Sequence, residues 1–157
     1  MKEKEMIKAY VRQSSYRQAL ALPDEVTEEY EMLAQGEYNR NYLFTHPLTG
    51  KKLLLRVNFG SQMLLDDQIE YEYKALKILE TSGRTPKPLY VDGRLQYLPY
   101  GVMVMEYLPG RVLDYHTDLP LAAACLADIH SVAVPEETHM ISPANQIRAI
   151  RVECEAR

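Results

Sequence analysis

The pair Pro109-Gly110 divides the chain into two stretches of different periodicity, and this restricts the available folds more than any other feature. Before it, short alternating or continuous apolar runs surround one long helical pattern; after it, only helical spacing occurs. From Lys4 to about Leu20, apolar residues at Ile7, Tyr10 and Val11 predict a helix that stops at Leu22-Pro23-Asp24. Three strands follow, at Tyr30 to Ala34, Asn41 to Phe44 and Lys52 to Val57, the last entered through the turn Pro47-Leu48-Thr49-Gly50. A helix is predicted from Leu65 to Ser82, because Gly83 stands where helices end in left-handed backbone and Pro86 and Pro88 cannot extend it. Pro88 to Val91, the turn Asp92-Gly93-Arg94, Leu95 to Leu98 and then the apolar run Gly101 to Tyr107 read as two further strands. Beyond Pro109-Gly110 come a helix from Leu119 to His130 and a last one, opened by the N-cap pair Ser142-Pro143 and running toward Glu155. This order predicts an α+β protein with an antiparallel sheet of about five strands plus one helix, leading into the first helices of a helical lobe. The expected units are an N-terminal helix (1–24), a sheet-bearing lobe with a connector at its end (25–108) and the helical part (109–157).

Composition excludes several classes. No apolar run approaches the ~20 residues that cross a bilayer, and Met1-Lys2-Glu3-Lys4-Glu5 lacks the pattern of a secretory signal. No membrane role and a cytoplasmic location are therefore expected. A net charge of -4 argues against a nucleic-acid surface, which needs a clustered excess of Lys and Arg. Cys125 and Cys154 have no CxxC spacing or paired histidines nearby, so both are expected to be reduced thiols.

Within Lys52 to Val57, Leu53, Leu55 and Val57 face one way, while Leu54 and Arg56 face the other. In the next helix, the stripe Leu65, Ile69, Leu76 and Leu79 has Glu72 at its remaining position. A carboxylate on an inward stripe needs a cation, because burial without one costs several kcal/mol or forces protonation. Arg56 is the nearest by order and face. The alternative is that Arg56 is an exposed strand residue and Glu72 shares the solvent face with Glu70 and Lys74.

Two backbone segments are also candidates. The loop holding Gly36, Tyr38 and Asn39 has a glycine that could let backbone approach phosphate, although it reads equally as an ordinary hairpin loop. The apolar strand Gly101 to Tyr107 runs into Leu108-Pro109-Gly110 as an extended connector. Such a connector can pair with a purine edge, through the carbonyl of Glu106 and the NH of Leu108, with Leu54 and Met105 sandwiching the ring. A central strand followed by a surface turn is the other reading.

Six segments carry a family resemblance: Gly36 to Asn39, Leu54-Leu55-Arg56-Val57, Glu72 to Leu79, Thr85 to Tyr90, Val104 to Gly110 and Leu126 to Ser131. In this order they resemble the amino-terminal part of the aminoglycoside phosphotransferase and choline kinase-like proteins, over roughly residues 28 to 135. The resemblance implies a protein-kinase-like N-terminal lobe and ATP (or GTP) as ligand. It implies a small-molecule acceptor, and Mg²⁺ once the remaining lobe is supplied. In such kinases a basic strand residue holds the nucleotide phosphates and is positioned by a Glu on the next helix, which maps onto Arg56 and Glu72. Arg in place of Lys is common in this branch. His130 is implied to be structural.

The family's chemistry also needs an H-G-D-x-x-x-x-N loop and a further metal-binding Asp. His116-Thr117-Asp118 imitates it, but Ala123 stands where Asn is required, and after Asp128 there is no aspartate. No residue is therefore assigned a catalytic or metal-binding role. The expectation is a truncated phosphotransferase inactive by itself, or else a non-catalytic nucleotide-binding or interaction module completed by a partner. Leu119, Leu121, Leu126, Ile129, Ile147, Ile150 and Val152 are expected to stay exposed and to favour self-association.

Overall fold

A computed structural model describes residues 3–61, 65–141 and 145–155, and in it the strands form one antiparallel sheet. The order along the chain is α1 (Glu3–Tyr10), α2 (Ser14–Ala19), β1 (Glu31–Gln35), β2 (Asn39–Thr45) and β3 (Lys52–Asn58). It continues with α3 (Gln68–Leu79), a 3₁₀ turn (Glu80–Ser82), β4 (Pro88–Asp92), β5 (Gly101–Glu106), α4 (Leu119–His130) and α5 (Gln146–Glu155). In space the strands run β1-β2-β3-β5-β4, which seals β3 and β5 inside the sheet. The expected α+β order of sheet, helix and then helices is thus present.

Helix boundaries differ from the sequence reading, strand bounds shift by one or two residues, and Leu95 to Leu98 carries no strand. The N-terminal helix is two helices, because Gln13 adopts extended backbone (ψ 135°). The break leaves the Val11 carbonyl to accept from the Arg17 guanidinium, 3.4 Å away. The helix expected from Leu65 begins at Gln68, and its last turn tightens to 3₁₀ before Gly83, whose φ of 65° suits glycine. The proposed cap Ser142-Pro143 lies outside the described residues, and α5 starts at Gln146.

The sheet is covered on both faces. Leu53, Leu55 and Val57 of β3 join Tyr42, Phe44, Val102 and Val104 under α1, α2 and the turn between them, which contribute Ile7, Tyr10, Val11 and Tyr16. On the opposite face, Ile69 of α3 packs with Met103 and Met105, flanked by Leu54, Tyr73, Leu76 and Val91. Because β5 is buried from both sides, its sequence is nearly all apolar without alternation. Gly101 lets α3 approach: a Cβ there would lie 2.6 Å from an Ile69 side-chain carbon.

α1 and α2 are fastened by polar groups as well as apolar ones. Arg17 is buried and holds both oxygens of buried Glu28 at 3.1 Å, with further bonds to the carbonyls of Pro23 and Val26. Tyr10 donates to Asp92 at 2.9 Å and meets the Tyr90 hydroxyl at 2.9 Å, tying α1 to β4. Tyr16 lies edge-on to both Tyr10 and Tyr90.

The candidate phosphate site and connector

β3 and α3 bring Arg56 and Glu72 together. In the register, Arg56 lies between Asn41 of β2 and Met103 of β5, on the face that α3 covers. One helical turn beyond Ile69, Glu72 reaches the same row, and its Oε2 accepts from Arg56 Nη1 at 2.7 Å. Both side chains keep about a quarter of their surface exposed (26% and 21%), so the pair is neither sealed in the core nor free in solvent. The solvent-face alternative for Glu72 is thereby removed. Arg56 Nε donates to Asn41 Oδ1 at 3.2 Å, and among the described residues its Nη2 has no partner.

Neither Asn41 nor the second neighbour of Glu72 was legible as a site residue. Gln68 Nε2 donates to Glu72 Oε1 at 2.9 Å, so the carboxylate has a donor on each oxygen. The available signal was spacing alone, since Gln68 stands one turn before Glu72. For Asn41, the register across the Pro47–Gly50 turn would have placed it opposite Arg56.

The loop between β1 and β2 is a tight turn, with the Gly36 N–H donating to the Asn39 carbonyl at 2.8 Å. Asn39 Oδ1 accepts from Asn58 at 3.0 Å, and the Tyr38 carbonyl accepts from the Phe59 N–H at 3.0 Å. Asn39 therefore lies on the Arg56 face, one row (about 7 Å) further along the strands. Gly36 has ordinary backbone, and a Cβ on it would touch only the Asn39 carbonyl at 3.8 Å, so this turn does not itself require glycine.

Leu54 and Met105 are cross-strand partners on the same face as Arg56, toward the connector. This corrects the sandwich expected of them: side by side on one sheet, they form a single wall, and the other side of any ring between them must come from another element. Glu106 ends β5, with its N–H bonded to the Lys87 carbonyl at 2.9 Å, and the Tyr107 N–H reaches the Lys52 carbonyl at 3.3 Å. Strand alternation sets the Glu106 side chain on the α1/α2 face, so only its backbone is available beside Met105. From residue 107 to 114 the chain has no regular structure, and Leu108 is half exposed.

The imitation loop at His116-Thr117-Asp118 has a structural occupation. Asp118 accepts from Arg111 at 2.6 and 2.8 Å and from the Asp114 N–H at 2.8 Å, which holds its carboxyl below the usual carboxylate range. Among the described residues, no three His, Cys, Asp or Glu side chains gather as a metal site, and no helix is long and apolar enough to cross a membrane. Cys125 and Cys154 are unpaired.

A model of the phosphotransferase enzyme family matches residues 29–154. A crystal structure from Ralstonia eutropha JMP134, named a "putative aminoglycoside phosphotransferase", is similar at 19% identity and a TM-score of 0.46. That match covers 71% of this chain, and the chain spans only 30% of the length of that protein.

Proposed function

Because the chain belongs to the phosphotransferase enzyme family, we propose that the sheet face under α3 and the connector after β5 form a nucleotide site for ATP or GTP. One observation carries this reading: a guanidinium held by Glu72 and Asn41 keeps Nη2 without a partner among the described residues, beside the apolar Leu54 and Met105. A planar cation fixed on two sides suits phosphate oxygens better than a mobile one. In this proposal Arg56 binds phosphate, Glu72 positions it, and Gly36, Tyr38 and Asn39 edge the phosphate end. Leu54 and Met105 wall one side of the base, while the Glu106 carbonyl and the Leu108 N–H meet its polar edge. The working units are residues 1–24, 25–108 and 109–157, and a cytoplasmic setting, where nucleotide is available, belongs to the same reading.

The broader function would be ATP-dependent O-phosphorylation of a small molecule, with these 157 residues as the nucleotide-binding part. They contain no H-G-D-x-x-x-x-N sequence, so binding without turnover is expected from the chain alone. Mg²⁺ would neutralise phosphate charge, and no residue here is named as its ligand. Titration with ATP and GTP, with and without Mg²⁺, tests this: saturable binding without phosphate release supports it, and absence of binding at millimolar nucleotide rejects it.

A second reading is favoured by the exposure of α4 and α5. Leu121 is 69% and Ile147 82% exposed, among several other apolar side chains on these helices. A module completed by another chain, a second copy included, would cover them. Concentration-dependent mass by light scattering would support that reading, and a monomer across the same range would oppose it.

A further inference from the structure

The hydrogen bonds behind Glu72 run in one direction, and their polarity can be derived. The Leu65 N–H can only donate, and it donates to Ser61 Oγ at 2.7 Å. The Ser61 hydroxyl hydrogen is thereby directed to Gln68 Oε1, also at 2.7 Å. With its oxygen engaged there, the Gln68 amide must present its NH₂ to Glu72 Oε1, as it does at 2.9 Å. The other oxygen, Oε2, is left to Arg56 Nη1. Gln68 is buried, so loss of either bond would leave a polar group without water to replace it. Without Gln68, a carboxylate with one anchored oxygen could rotate about its terminal torsion and carry the guanidinium with it.

We propose that Gln68 is a positioning residue for Arg56, locking the Glu72 carboxylate so that the guanidinium keeps Nη2 turned toward bound phosphate. This rests on the nucleotide-site reading above. Gln68→Met keeps the length and apolar stem while removing the bonds to Ser61 and Glu72, and two measurements follow from it. In side-chain NMR, the Arg56 Nη1 and Nη2 signals, identified by their loss in Arg56→Lys, should be separate in the original chain. They should merge in Gln68→Met as rotation about Nε–Cζ is freed. In titrations, Gln68→Met should weaken ATP by about 3- to 10-fold, the worth of one ordinary hydrogen bond, because Gln68 acts on phosphate only through Glu72 and Arg56, with adenosine affinity unchanged.

Separate Arg56 signals in Gln68→Met, or equal losses for ATP and adenosine, would overturn the positioning role. If the original chain binds no ATP, the nucleotide reading fails, yet the guanidinium signals still decide whether Gln68 orders Arg56. Should Gln68→Met not fold, Ser61→Ala removes the hydroxyl that orients the amide. It should give the same changes at smaller size, and unaltered Arg56 signals there would likewise overturn the proposal.

Discussion

At the scale of single residues, the two buried or half-buried ion pairs do different work. Arg17 and Glu28 are sealed together, and a charge buried with its partner removed costs about 3–5 kcal/mol. Glu28→Ala is therefore expected to lower unfolding stability in urea by about that amount. Arg56 and Glu72 are partly solvated, and Glu72→Ala should cost far less stability, about 1 kcal/mol or below. Its effect should instead be on ATP affinity, which a parallel titration of both variants would separate. The half-buried pair was legible because two periodicities met: strand alternation put Arg56 beside Leu54, and a helical stripe put Glu72 between Ile69 and Leu76. The buried pair was not. In the sequence, Arg17 sits among Ser, Tyr and Gln and Glu28 beside Glu29, and no local pattern distinguishes a buried charge from an exposed one there.

At the scale of elements, the sheet and the helices that follow it differ in how far they are fixed. β3 and β5 are paired on both edges and covered on both faces, so Leu55→Ala should cost about 2–5 kcal/mol. α4 has no buried residue, and a polar tie from it to the rest is Arg84 to Asp128 at 2.7 Å, exposed on both sides. Leu121→Ala should therefore change the stability of the monomer by no more than about 0.5 kcal/mol. Urea midpoints of the two variants give the comparison directly. The strands were legible because their spacing follows burial, and α4 because its helical spacing of apolar residues is present in the sequence whether or not a partner covers it. The split between α1 and α2 was not, because no local pattern marks the extended backbone at Gln13, and helical spacing of apolar residues continues across it.

At the scale of the whole molecule, the tyrosines join α1 and α2 to the sheet. Burial raises the hydroxyl pKa values of Tyr10, Tyr16, Tyr30, Tyr42 and Tyr90 above the ordinary value near 10. The folded state thus keeps protons that the unfolded state releases. Their contribution is fully present below about pH 10 and is lost as the pH rises toward the raised folded values. Asp92 acts at the other end: Arg94 and Tyr10 lower its pKa, so its contribution is present above about pH 4 and lost as the pH falls through the lowered value. Unfolding free energy measured from pH 3 to 11 should be flat in the middle and fall at both ends, and Tyr90→Phe should soften the alkaline fall.

The central claim is that Arg56 is a phosphate-binding cation on a nucleotide site, and titration of ATP into the original chain and Arg56→Met tests it most directly. Saturable binding that weakens at least about 10-fold in the variant, the loss of a charged hydrogen bond to phosphate, with unchanged far-UV circular dichroism, is the expected result. Equal affinity in the two proteins, or no binding to either at millimolar ATP, would contradict it.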